Sequence, residues 1–253
     1  MLNSSVPTEP VGAVQPAHWR FWGTLLWGIL IALVFLALQA ATVLWVLIAR
    51  NDHLSEAEFA ELYASSAQNG YVVSLATMVT GVVCCALIAG IVKLKKRSVL
   101  SDYLALRSVS SRTMLRWLAL LVGLIVLADV LTILLGRPIV PDFMSGVYAT
   151  ADPAWMLWTA LIVAAPLFEE TFFRGFLFKG FESSFLGSGG TVLATAGLWA
   201  LMHVQYDAYG VFLVFGLGLL LGVARARTGS LMVPLTMHAT ANLIATIETV
   251  VLT

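Results

Sequence analysis

The stretch Leu167-Phe168-Glu169-Glu170-Thr171-Phe172-Phe173-Arg174 places three ionisable groups within two turns of an otherwise apolar segment. Read as helix, it sets Glu170 and Arg174 four residues apart on one face, with the acid on the N-terminal side that favours pairing. Glu169 lies about 100° around the helix. It is left without a basic partner in its own turn, and a carboxylate of that kind in an apolar setting is suited to proton transfer. One acid is expected to be a structural ion-pair partner and the other a free acid/base. Pro166 has no backbone N–H and is expected to kink the helix one turn before the pair. His203 closes the run Gly197-Leu198-Trp199-Ala200-Leu201-Met202-His203, with Trp199 one turn before it. His238 and Asn242, four apart in His238-Ala239-Thr240-Ala241-Asn242, project together from a later segment. Singly, each has a plainer explanation: acids at a lipid-facing helix end, an interior histidine satisfied by hydrogen bonds, a polar pair bridging helices. Their convergence from three apolar segments argues for chemistry.

The reaction these groups suit is peptide hydrolysis by activated water. A carboxylate helped by an imidazole removes the proton, and polar donors stabilise the oxyanion. Glu169 with His203 can form the activating pair, and His238 with Asn242 the oxyanion donors. No serine stands in a Gly-x-Ser-x-Gly setting and neither cysteine is near, which argues against a nucleophilic mechanism. A His-Glu-x-x-His zinc helix is also missing. Zinc is kept as a rival, since two histidines and a carboxylate (Glu169, His203, His238) are a known ligand type; no cofactor is favoured.

The elements that must position these groups follow from composition. The chain has 253 residues, 60% hydrophobic and 11% charged, with a mean hydropathy of +0.92. A water-soluble domain carries about a quarter charged residues, so lipid is the main solvent. Fourteen Lys and Arg balance 14 Asp and Glu, which gives no electrostatic footprint for nucleic acid. Cys84 and Cys85 are adjacent in an apolar run and are expected to pack as small hydrophobes. Residues 1–18 form a polar tail, and the long apolar stretch after them is expected to be a retained membrane helix.

The expected fold is all-α, a polytopic bundle of about seven (six to eight) spans of roughly 20 residues each. They are Phe21–Ala49, Tyr71–Val92, Leu115–Leu135 with Asp129 inside it, Trp155–Lys179, a short Thr191–His203, Tyr209–Val223 and Leu231–Leu252. Asn51–Asn69 has a mildly amphipathic pattern and is expected to lie on the membrane face. Basic residues enrich cytoplasmic loops. Eleven of them, Arg20, Lys93, Lys95, Lys96, Arg97, Arg107, Arg112, Arg116, Lys179, Arg225 and Arg227, fall at one set of helix ends; only Arg50 and Arg137 fall at the other. The N-terminus is therefore expected inside, and the C-terminus outside if the spans number seven. The chain divides into the tail 1–18, N-terminal helices and a cytoplasmic loop over 19–112, and a core over 113–253. Gly218 and Gly222 form a small-x-x-x-small pair for close helix approach. Asp129 is expected to make an internal hydrogen bond, and Asp207 to be solvated in a short outer loop.

These residues resemble the CAAX-protease and bacteriocin-processing (CPBP, or Abi) intramembrane peptidases. That family shows Glu-Glu-x-x-x-Arg, then Phe-x-x-x-His, then His-x-x-x-Asn on successive membrane helices. Glu169, Glu170 and Arg174 match the first motif, within the familiar Phe173-Arg174-Gly175 context. His203 matches the second with Trp199 in place of Phe, and His238 and Asn242 match the third. The likeness spans about Trp155–Thr253, with an echo in Asp102-Tyr103-Leu104-Ala105-Leu106-Arg107. It implies a glutamic-type membrane endopeptidase in which Glu169 and His203 activate water, His238 and Asn242 hold the oxyanion, and Glu170 with Arg174 supports the site. Its implied partners are the bilayer of the plasma (inner) membrane and a peptide or protein substrate; tails lipidated at the C-terminus are one such class. Trp199 in place of Phe is expected to alter pocket shape more than chemistry. Two other functions share these features: a non-catalytic immunity or scaffold protein binding peptides in the same cavity, and a transporter using Glu169 and His203 as a proton relay. The first has no need of a free Glu169. The second commonly shows internal repeats, and none is evident here.

Overall fold

The computed structural model describes residues 18–50 and 55–253, and these form helices joined by short connections. The first half contains α1 (Phe21–Arg50), α2 (Glu56–Ser65), α3 (Gly70–Leu94), α4 (Leu100–Tyr103), α5 (Ser111–Leu134) and α6 (Asp142–Ala149). The second half contains α7 (Ala154–Glu182), α8 (Gly187–Leu201), α9 (Ala208–Thr228) and α10 (Met232–Leu252). Among the described residues, six of these (α1, α3, α5, α7, α9 and α10) are long and apolar enough to cross a membrane. The protein is an integral multi-pass membrane protein.

The short segment expected as a further span is α8. Its 15 residues reach about 22 Å at 1.5 Å per residue, less than the roughly 30 Å hydrocarbon layer. It nonetheless runs from one end of the bundle almost to the other, packed along α9. Gly218 makes this possible: a Cβ there would lie 2.9 Å from the Trp199 ring and 3.2 Å from the Ala196 Cβ.

The chain's ends and turns sort into two poles. At one, Trp19 Nε1 donates to the Ile91 carbonyl at 3.2 Å and Leu231 N donates to the Ala105 carbonyl at 2.9 Å. All eleven clustered basic residues belong to this pole. At the other, Gly70 N donates to Thr150 Oγ1 at 2.9 Å, and Arg137 pairs with Asp207. Asp207 is thus an ion-pair partner, and it also caps α9 by accepting from Gly210 N at 2.9 Å; it remains about half exposed. Within the expected amphipathic segment the described residues are helical from Glu56 to Gln68. This stretch comprises α2, opened by a Ser55/Glu58 capping box and carrying no buried residue, and a 3₁₀ turn over Ser66–Gln68. Asn51 to Leu54, like residues 1–17 of the tail, lies outside the described residues.

Leucines such as Leu26, Leu33, Leu127 and Leu134 are exposed along the spans, as lipid solvent permits, and Trp22, Trp45 and Trp155 stand out near the poles as interfacial anchors do. The interior is aromatic. Phe168, Phe172, Phe173, Phe176 and Phe181 from α7 form its axis, with Ile31, Ile88, Leu221, Leu231 and Met237 around them. Phe35 of α1 stacks on Phe168 at 5.0 Å, so the N-terminal helices pack directly on the element that carries the two acids.

Candidate active site

Helix α7 departs from regular α geometry on both sides of its acids. Residues Ala160–Ala164 and Thr171–Leu177 are π-helical, a form that recurs at functional sites. The first has a cause in the sequence. Ala165 N bonds the Ala160 carbonyl in the i→i+5 pattern; the next rung needs an N–H from residue 166 to the Leu161 carbonyl, and that residue is proline. The orphaned Leu161 carbonyl takes its hydrogen bond from Asn242 Nδ2 at 2.7 Å. The kink expected at Pro166 is therefore a π-turn stapled to α10 by a residue expected at the site.

The two acids part as their positions on the helix require. Glu170 is fully buried, and its Oε1 accepts from Arg174 Nη1 at 2.9 Å. The same oxygen accepts from His238 Nδ1, also at 2.9 Å. Arg174, fully buried too, donates from Nη2 to the Gly218 carbonyl at 3.1 Å. Glu169 has no basic partner on α7, and its side chain is 18% exposed toward a cavity. Its carboxylate accepts from Trp199 Nε1 and lies 3.9 Å from His238 Nε2.

Trp199 is the residue that sequence reasoning undervalued. Its ring stands edge-on to both His203 and His238, at 5.0 and 5.1 Å between centroids, and the Arg174 guanidinium lies 4.8 Å over its face. A phenylalanine could fill this space but could not donate to Glu169, so the substitution touches chemistry as well as shape. The signal was legible, since a buried tryptophan N–H needs an acceptor.

Both histidines have one nitrogen committed. His203 Nδ1 lies 2.8 Å from the Trp199 carbonyl. A carbonyl can only accept, so the proton is assigned to Nδ1 and Nε2 keeps a free lone pair. Tyr206 stacks on the His203 ring at 6.1 Å. Burial, and after it the charge of Glu169, pushes the Tyr206 phenol above its ordinary value, which keeps it a protonated donor.

Glu169, His203, His238 and Asn242 all line one cavity of about 370 Å³, within the size range of small-molecule and peptide side-chain sites. Phe35 and Gln39 of α1 and Thr77 of α3 contribute to its wall. Among the described residues, no three His, Cys, Asp or Glu side chains group closely enough to hold a metal ion together. Of the three residues expected as zinc ligands, Glu169 and the His203 Nδ1 are both engaged by Trp199, and the His238 Nδ1 by Glu170. Asp129 is outside the cavity lining, whereas Glu248 of α10 is part of it.

Residues 151–244, which hold all six of these motif residues, match the family model described as type II CAAX prenyl endopeptidase, Rce1-like. That stretch is thus similar to the CAAX-protease family. The chain is also 33% identical over 129 residues to an uncharacterized 24.3 kDa protein of Escherichia coli, a match covering 47% of this chain and 58% of that relative. The chain thus spans little more than half the length of the curated relative it matches. No solved structure matches it.

Proposed function

We propose that the protein is an intramembrane endopeptidase that hydrolyses peptide bonds of membrane-associated proteins or peptides with a Glu/His-activated water. One observation carries this: Glu169, with no basic partner on α7 and partly open to a cavity, shares that cavity with His203 and lies 3.9 Å from His238 Nε2, while its neighbour Glu170 is sealed away in an ion pair with Arg174. Water held between Glu169 and the free Nε2 of His203 gives up a proton as its oxygen attacks the scissile carbonyl. The resulting oxyanion is received by Asn242, which has one amide hydrogen beyond the bond to Leu161, and by His238 Nε2. Donation from Nε2 requires the His238 ring to carry both protons, with Glu170 taking the Nδ1–H. Collapse of the tetrahedral intermediate returns the proton to the leaving amine. Glu170 and Arg174 fix the His238 ring, and no metal is needed for any step.

The protein resides in the plasma (inner) membrane with its N-terminus cytoplasmic. Peptide termini should be compared across the membrane proteomes of cells carrying wild type or Glu169→Gln. New termini confined to the wild type support the proposal, and identical termini in both would refute it.

A further inference from the structure

Gln39 stands inside α1, an otherwise apolar span, and lines the same cavity as Glu169. An amide side chain in such a span is costly unless its polar groups are used. Half of this amide is accounted for. Its Nε2 lies 3.4 Å from Thr80 Oγ1 of α3, and the roles there are fixed by a second bond. The Thr80 hydroxyl gives its one hydrogen to backbone carbonyls of its own helix, chiefly that of Ala76 at 2.6 Å, so toward Gln39 it can only accept. The amide is therefore held with its nitrogen on α3. Its Oε1 is left to the cavity, with no hydrogen-bond partner among the described residues.

The height of this oxygen relative to the site follows from the packing of α3 on α7. Gly81, next to Thr80, meets α7 so closely that a Cβ there would lie 3.2 Å from the Ala164 carbonyl. Ala164 precedes Glu169 by five residues, about 7.5 Å of helix at 1.5 Å per residue. An extended chain covers about 3.3 to 3.6 Å per residue. A peptide whose scissile carbonyl sits at Glu169 thus brings its backbone to the level of Gln39 roughly two residues away. That backbone needs partners, because unpaired N–H groups are costly where bulk water does not reach them.

We propose that Gln39 binds the substrate backbone: its Oε1 accepts an N–H of an extended peptide about two residues from the scissile bond, and the site disfavours proline or any N-alkylated residue at that position. This rests on the peptidase role given above to Glu169. Gln39 lies outside residues 151–244, which match the family model, so the contact is a contribution of this chain's N-terminal helices.

Purified full-length protein is offered a randomised pool of N-acetylated apolar decapeptides. A peptide that wild type cleaves and Glu169→Gln does not is chosen, and its scissile bond is located by mass spectrometry. The backbone amides within three residues on either side, other than the scissile one, are then N-methylated one at a time. In wild type, N-methylation at one position about two residues from the cut should lower kcat/KM at least fivefold. Gln39→Met keeps the length of the side chain and loses the amide. It should cleave the parent peptide at least fivefold less efficiently, mainly through KM, and N-methylation at that position should then cost less than a further twofold. An N-methylation loss that persists unchanged in Gln39→Met makes Gln39 a bridge between helices only and overturns the inference. A wild-type scan in which no position loses fivefold overturns it too, with no variant required to fold. If no peptide shows cleavage that Glu169→Gln abolishes, the peptidase role fails and this inference with it.

Discussion

Replacing Glu170 by Gln removes one charge from an ion pair whose side chains are both 0% exposed. No solvent screening softens the loss, and stranding one member of such a pair costs about 3 to 5 kcal/mol. At roughly 2 to 4 °C per kcal/mol for chains near this length, the melting midpoint of the purified protein should fall by on the order of 10 °C. The glutamine keeps an acceptor for His238 Nδ1, so the loss is one of charge more than of hydrogen bonding. Adding Arg174→Met removes the stranded guanidinium. It also gives up the bond to the Gly218 carbonyl, worth about 1 kcal/mol, so recovery should be partial. Intrinsic tryptophan fluorescence during heating in detergent measures all three proteins. A single variant melting within about 2 °C of wild type, or a double variant no better than the single, would refute the reasoning.

Trp199→Phe preserves the ring between the imidazoles but deletes the donor to Glu169; a hydrogen bond to a charged group is worth about 1.5 to 3 kcal/mol, so kcat should fall roughly 10- to 100-fold while KM and melting midpoint stay close to wild type. Asn242→Ala should both slow turnover by about 10² to 10³ as an oxyanion donor is lost and destabilise the fold by about 1 to 3 kcal/mol, because the Leu161 carbonyl has no other partner to replace it; a stable variant would break the link to Pro166. Activity should survive strong chelation, with no stoichiometric zinc in the purified protein by elemental analysis. Loss on chelation with rescue by zinc would make Glu169, His203 and His238 ligands instead.

That Glu170 and not Glu169 pairs with Arg174 could be argued from the sequence because it depends only on helical periodicity, and the pairing survives the π-helical geometry of Thr171–Leu177. The gathering of eleven basic residues at one pole follows from their positions at alternate ends of the spans. What sequence could not supply were contacts between helices. His238 sits on Glu170, and nothing in the spacing of one helix says which acid another helix will meet. The π-turn at Ala160–Ala164 is visible only when the missing N–H of Pro166 is followed through an i→i+5 ladder, and its answer, Asn242, lies 81 residues from Leu161 in the chain. The segment Thr191–His203 corresponds to α8, which at 15 residues is shorter than the six long apolar helices and packs along α9 at Gly218.

The central claim is that Glu169 activates water while Glu170 does not. The most direct measurement is the cleavage rate of a peptide substrate by purified Glu169→Gln, in a sample whose melting midpoint matches wild type. Loss of a general base costs about 10² to 10⁴ in rate, so that sample should be folded and inactive. Near-normal hydrolysis by folded Glu169→Gln would contradict the account.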